Sequence, residues 1–219
     1  MKLTIFIAII VVLRFLLPRL VDFGAPEKSE PKSEWHYRVK FAKLNKEKYD
    51  KATPEEKQEL LYYFTNKLRQ ADNYSDASFR QMPKLLQVVW LINELEAEVN
   101  NGGYLQFFTN SSGRYVDETI EALNLIGATY NHQLLLNAVE ILLKHNENNQ
   151  VLNEKLSSKT MYQIFDFSEL YENDELQEEL NELDKAFYLN KEKLSKLKME
   201  YFEINADSLW PELEEKFPS

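Results

Sequence analysis

The sequence predicts an all-α fold, and three observations carry that expectation. Glycine and proline are sparse, five and seven in 219 residues, whereas turn-rich sheet proteins need many of both. Leu, Glu, Lys and Asn are abundant instead, residue types that fill helices and their ends. Apolar residues recur at steps of three and four, the period of a helix with one buried face. With 44% hydrophobic and 13% aromatic residues the chain can bury a sizeable core. The expected architecture is a compact multi-helix domain with a long C-terminal helix, preceded by an N-terminal hydrophobic anchor helix and a disordered tether.

The first element is an apolar run, Leu3 to Leu13, interrupted at Arg14 and resumed as Phe15-Leu16-Leu17. Counted to Leu17 it holds 15 residues, short of the ~20 of a comfortable membrane span, although Arg14 can snorkel and Leu20 to Phe23 can extend it. A signal peptide has a similar length. No A-x-A-like cleavage site follows, so an uncleaved membrane anchor is the preferred reading, with a buried core helix as the third choice. Arg14, Arg19, Lys28 and Lys32 lie within or just after the run, which by the positive-inside rule places the domain in the cytoplasm, with export as the alternative. From Gly24 to Glu34 the composition turns to Ala, Pro, Glu, Lys and Ser, too polar to order its backbone. Trp35 to Tyr49 is basic with interleaved aromatics (Trp35, Tyr37, Phe41, Tyr49). Either this stretch lies on anionic headgroups, or, the preferred reading, it is a helix docking its aromatics on the domain. The expected boundaries are thus 1–23 for the hydrophobic segment, 24–50 for the charged linker and 51–219 for the domain.

The domain opens at Thr53-Pro54-Glu55-Glu56, where Thr supplies the N-cap, Pro takes the first helical position and Glu56 completes a capping box. Leu60, Leu61, Phe64 and Leu68 give this helix one buried stripe. A second helix runs from about Pro83 to Asn100 with Leu85, Val88, Val89, Ile92, Leu95 and Val99 inward. A third begins near Tyr115, carries Val116, Ile120, Leu123 and Ile126, and stops at Gly127. Leu134, Leu135, Ala138, Ile141 and Leu142 mark a fourth, ending near His145. The last long helix starts near Asn173 with the stripe Leu176, Leu180, Leu183, Phe187, Asn190, Leu194, Leu197 and Tyr201. That is a heptad seam with one polar position, in the manner of a register-setting Asn.

Between the second and third helices lies the most distinctive stretch, Asn100-Asn101-Gly102-Gly103-Tyr104-Leu105-Gln106-Phe107-Phe108-Thr109-Asn110. Asn and paired Gly stop a helix, because they enter left-handed backbone at little steric cost. If a helix restarts at Tyr104, Gln106 and Asn110 stand four apart on one face. Their amides are neither acids nor nucleophiles. The preferred reading is architectural, with Asn101, Gly102, Gly103, Gln106, Phe107 and Asn110 completing a helix break and its core. The other makes Asn101, Gln106 and Asn110 the floor of a polar pocket.

Asn101-Gly102-Gly103, Gln106-Phe107-Phe108, Asn110 and Gly113, with Glu121-Ala122-Leu123 and Ile126-Gly127-Ala128 beyond, resemble the signature of a bacterial domain family. Its best-known member is a DNA-mimic protein, an acidic helical protein that occupies a transcription factor in place of DNA. The resemblance covers roughly residues 54–145. It implies a helical fold and a protein partner, and assigns no chemical role to the motif residues.

Charge is divided along the chain. Residues 1–50 hold ten Lys or Arg against six Asp or Glu, net +4, and residues 51–219 hold 16 against 30, net −14. An acidic body repels nucleic acid directly and admits a basic protein. Between Thr160 and Asp184 there is no Lys or Arg, while Asp174, Glu175, Glu178, Glu179, Glu182 and Asp184 crowd the start of the long helix. At ~1.5 Å rise per residue they fall within ~16 Å, one per ~2.7 Å, against ~3.4 Å per charge on one DNA strand. A solvated face matched to the helix dipole explains this first. Antiparallel pairing of two copies in a homodimer ranks second, since Lys185, Lys191, Lys193, Lys196 and Lys198 make the other end basic. DNA mimicry ranks third.

No cysteine is present, which removes disulfides and thiolate chemistry. His36, His132 and His145 are scattered without ligand spacing, so neither a metal nor any other cofactor is expected. Glu94 and Glu98 lie four apart and could face Gln106 or Asn110, but carboxylate catalysis would require one of them to be partly buried with a shifted pKa. The expectation is therefore a membrane-anchored, non-enzymatic, protein-binding module, with a self-associating structural domain as the alternative and a carboxylate enzyme behind both.

Overall fold

The computed structural model describes residues 43–145 and 167–216, and among these every regular element is a helix. They belong to one compact unit, Phe41–Ser219. The expected anchor at 3–23 and tether at 24–34, with Trp35, Tyr37 and Phe41, lie outside the described residues. No helix among the described residues is long and apolar enough to cross a membrane.

α1 (Lys46–Asp50) is a single turn started by Asn45, whose side chain accepts from the Lys48 amide. Its purpose is Tyr49. That ring is buried against Phe202 (centroids 5.1 Å apart) and Trp210 (5.4 Å), and its hydroxyl donates to Glu203 at 2.9 Å. Tyr49 therefore docks on the domain. α2 (Pro54–Gln70) starts with the Thr53/Glu56 capping box, both halves formed, and buries Leu60, Leu61, Phe64 and Arg69. α3 (Asp76–Arg80), capped by Ser75, sends Phe79 into the core.

α4 (Lys84–Thr109) is the hub, packing against α2, α5 (Val116–Leu125), α8 (Asp174–Leu189) and α9 (Leu194–Asn205). Its first half is buried on all sides from Leu86 through Ile92, so it is a central helix and not the one-faced helix that a single stripe implies; Leu85 is only half-buried. The 3₁₀ turn Ser111–Tyr115 leads into α5, and Gly127 at φ +75° ends that segment. α6 (Thr129–His145) buries Leu134, Leu135, Ala138 and Leu142. After α7 (Phe167–Glu172), α8 lies across α6 and α4. A 3₁₀ turn Ala206–Ser208 and α10 (Leu209–Lys216) close the chain's described part.

One expectation is corrected: there is no single long C-terminal helix. α8 ends at Leu189, Asn190 is extended (φ −69°, ψ 154°), and α9 begins only at Leu194. The Asn190 side-chain Nδ2 donates back to the Phe187 carbonyl at 2.7 Å and across to Asn131 Oδ1 at 3.3 Å. Glu192 accepts from the Tyr130 amide (3.1 Å), the Asn131 amide (2.9 Å) and the Asn131 side chain (2.6 Å). A carboxylate bonded to the free amides of a helix start is favoured by both hydrogen bonds and dipole. α6 thus draws the chain out of helix at residues 190–193. The apolar seam packs inward: Leu176, Leu180 and Phe187 are buried in the domain's own core. Beyond the break, α9 turns Leu194, Lys198 and Phe202 inward in place of Leu197 and Tyr201. Lys198 tolerates this because its stem is apolar and its ammonium donates to Asn93 Oδ1.

Candidate functional site

The distinctive motif is a kink inside α4. Gly102 is non-helical (φ −158°, ψ 24°), and Gly103 has φ +76° with ψ −175°, a conformation open in practice only to glycine. The helix restarts at Tyr104, whose amide donates to Asp184 Oδ1 of α8 at 2.8 Å. Asp184 is therefore a cap delivered from 80 residues away, satisfying a donor that the break exposes. Glycine is needed at 103 for a second reason. A Cβ there would lie 2.1 Å from Asp184 Oδ2. Burial raises the Asp184 pKa, and the bond from the Tyr104 amide works against that rise.

The kink folds the end of α4 back over its own earlier turns. Gln106 Nε2 and Asn110 Nδ2 both donate to Glu98 Oε2, each at 2.7 Å. The amides are a two-pronged clamp on one carboxylate, and the clamp holds the kink angle. Phe107 is buried edge-on to Phe108. Asn101 is exposed at the kink and stands apart from the clamp. Gly113 closes the motif, since a Cβ there would meet the Phe108 carbonyl oxygen at 2.3 Å.

One turn before Glu98, Glu94 is half-buried and makes no hydrogen bond among the described residues. Burial, with the Glu98 charge adding to it and Arg69 opposing, pushes its carboxyl up to about 7. Glu94 thus meets the condition set for acid/base chemistry, whereas Glu98 is committed to Gln106 and Asn110. The consequence for stability has a definite sign. Between about 4.5 and about 7 the folded chain keeps a proton that the unfolded chain has lost. This contribution is complete below the lower value and is lost as pH rises through the upper one. Glu94→Gln should therefore flatten the pH dependence over that window and stabilise the protein at pH ~8 by on the order of 1–3 kcal/mol. Urea midpoints from pH ~5 to ~8 measure it. A variant that keeps the wild-type slope would show that Glu94 is ionised throughout.

The opposing charge, Arg69, is a residue that sequence reasoning missed. It is 1% exposed. Its guanidinium lies over the Trp90 ring at 4.5 Å, with Tyr115 and Phe79 at 5.5 and 5.6 Å. It donates to Ser78 Oγ at 2.6 Å, the Tyr74 carbonyl at 3.0 Å, Tyr115 Oη at 3.2 Å and the Ser75 carbonyl. Two of these acceptors belong to the loop in which Asn73 (φ +46°) and Tyr74 (φ +55°) are left-handed. The only signal in the sequence is an arginine at the end of an amphipathic helix near several aromatics, a common pattern.

The acidic residues of α8 separate into three groups. Asp174, Glu175, Glu178 and Glu182 are exposed. Glu179 is half-buried, paired with Lys144 at 2.6 Å and His145 at 3.1 Å. Asp184 faces α4 and is absent from the outer face. At ~100° per residue, positions 174, 175, 178, 179 and 182 share one arc, while the buried Leu176, Leu180 and Phe187 fill the next. Lys185 lies within the acidic arc and pairs with Glu182 in an exposed contact, of a kind worth little.

A family model described as DMP19-like protein matches residues 80–206. The match runs from the end of α3 through α9, and so includes the kink, the clamp and the acidic helix. No curated protein and no solved structure matches. With more than half of its length so matched, and with the kink and clamp built from the motif residues, the chain belongs to the DMP19-like family, the DNA-mimic family that those residues resemble.

Proposed function

We propose that this domain is a protein-binding module that offers the outer face of α8 to a basic, DNA-binding protein in place of DNA. The observation that carries the reading is the acidic arc: Asp174, Glu175, Glu178 and Glu182 face solvent along one helix. From Asp174 to Glu182 the arc rises ~12 Å and, with Glu179, spaces its charges at ~3 Å, near the ~3.4 Å of one DNA strand. The kink supports the arc indirectly, because Asp184 fastens α8 to α4 from the opposite side. A rigid row of charge loses little freedom on binding. The apolar run at residues 3–17 supports a further element of the proposal, attachment of the module to a membrane, with the domain on the cytoplasmic side.

The test uses the domain immobilised and exposed to a cell extract. A retained DNA-binding protein should elute with duplex DNA and with rising salt. The variant Asp174→Asn/Glu175→Gln/Glu178→Gln/Glu182→Gln should lose at least ~10-fold in affinity for that protein, with its melting temperature close to that of the parent, because exposed charges contribute little to stability. Retention indifferent to DNA and to these substitutions would move the binding surface off α8.

A further inference from the structure

α6 ends beside the start of α8, and the two turns that meet there bring three metal-binding side chains together. His145 is the last residue of α6, and Glu175 and Glu179 stand one turn apart on α8. The imidazole and carboxylate donor atoms of all three lie within 4.8 Å of one another. The His145 side chain is only 9% exposed, and its Nε2 lies 3.1 Å from Glu179 Oε1.

We propose that His145, Glu175 and Glu179 form a binding site for a divalent transition ion of the zinc type, with water completing the shell. One imidazole nitrogen and two carboxylates are a donor set that zinc accepts, and three protein ligands with an open position is a common arrangement for it. Zinc–ligand distances of ~2.1 Å put tetrahedral donors ~3.4 Å apart, so donors that lie within 4.8 Å of one another have little more than an ångström to close. Imidazole selects against magnesium and calcium, which take oxygen. The carboxylates, at i and i+4, are set by helix geometry, and burial limits the orientations of the ring.

Ion pairing alone explains Glu179, which Lys144 and His145 both contact. Glu175 is different: Lys144 attracts it only at longer range, outside salt-bridge distance. That side chain is exposed and makes no hydrogen bond or salt bridge among the described residues, yet its carboxylate reaches the imidazole. Lys144 stands against the proposal, since its ammonium already lies 2.6 Å from Glu179 Oε1. Its side chain is 59% exposed, however, so an incoming ion displaces a solvated cation on a flexible stem and replaces the charge it supplied. The site does not depend on the partner-binding reading of α8, although it shares Glu175 and Glu179 with the acidic arc.

The experiment is calorimetric titration of the full-length, chelator-treated protein with zinc chloride, with magnesium chloride as control. The expected result is one equivalent of zinc bound with micromolar or tighter affinity, a rise in melting temperature with zinc, and no comparable response to magnesium. His145→Ala should weaken zinc binding at least ~10-fold. Because His145 is buried and its loss alters packing, Glu175→Gln is the second variant. Glu175 is exposed and unbonded, so this change leaves the fold intact and should cost a similar factor. Lys144→Ala should leave affinity equal or tighter. Zinc affinity unchanged in Glu175→Gln, or magnesium bound as well as zinc, would overturn the site and leave an acidic patch that attracts any cation.

Discussion

Gly103→Val is expected to destabilise the domain by on the order of 4 kcal/mol, the sum of two costs at one position. The backbone at 103, φ +76° with ψ −175°, costs a β-branched residue ~1–3 kcal/mol. The added Cβ must also displace the Asp184 carboxylate, 2.1 Å away, which breaks its charge-assisted bond to the Tyr104 amide, worth ~1.5–3 kcal/mol. For a domain of this size each kcal/mol moves the melting temperature by roughly 2–4 °C, so the midpoint should fall by on the order of 10 °C. The two costs are separable. Asp184→Ala removes the cap without the backbone strain, and adding Gly103→Val to it should cost less than the valine costs alone. A Gly103→Val protein that melts within ~2 °C of the parent would mean that the break adapts to a side chain, and that the glycine pair serves some other end.

Arg69→Leu is expected to be of comparable size, ~3–5 kcal/mol, for a different reason. Leucine fills part of the space among Trp90, Tyr115 and Phe79, but removes the guanidinium donor from Ser78 Oγ, Tyr115 Oη and the Tyr74 carbonyl, while the Ser75 carbonyl keeps only Ser78 Oγ and the Phe79 amide. The bonds to Ser78 Oγ and Tyr115 Oη are buried, and a buried group that loses its partner costs ~1–3 kcal/mol before relaxation; the part-buried Tyr74 and Ser75 carbonyls add less. Arg69→Lys should recover little, since one ammonium cannot reproduce a planar fork with donors on both arms. The loop at Asn73 and Tyr74 should loosen in both variants, because its left-handed residues are held by carbonyls given to this guanidinium. Denaturant midpoints with limited proteolysis at residues 72–75 measure both effects. A lysine variant as stable as the parent would reduce the cage to simple packing.

What could be read in the chain, and what could not, divides along the range of the interactions. The capping box at Thr53/Glu56, the stop at Gly127 and the start at Asn173 rest on residues three or four apart, and each was legible as a local pattern. The helix break at Gly102-Gly103 and the shared face of Gln106 and Asn110 were legible for the same reason, because glycine conformation and helical spacing need no distant partner. The break at Asn190 was not. Its apolar steps continue across the gap, and only the amides of α6, some 60 residues earlier in the chain, show why Glu192 leaves the helix. Asp184 is the same case from the other side. By composition it is one more acid in a row, and only its bond to Tyr104 removes it from the outer face.

The sequence by itself thus determined the helical class, the starts of α2, α4, α5 and α8, the kink and the family, since these follow from backbone preference and local periodicity. Tertiary structure alone decided which carboxylates face solvent, which one is pushed up to about 7, and where an arginine is wholly buried. Those properties depend on desolvation and on charges brought close by folding, and neither quantity exists until α2, α4, α6 and α8 are packed together.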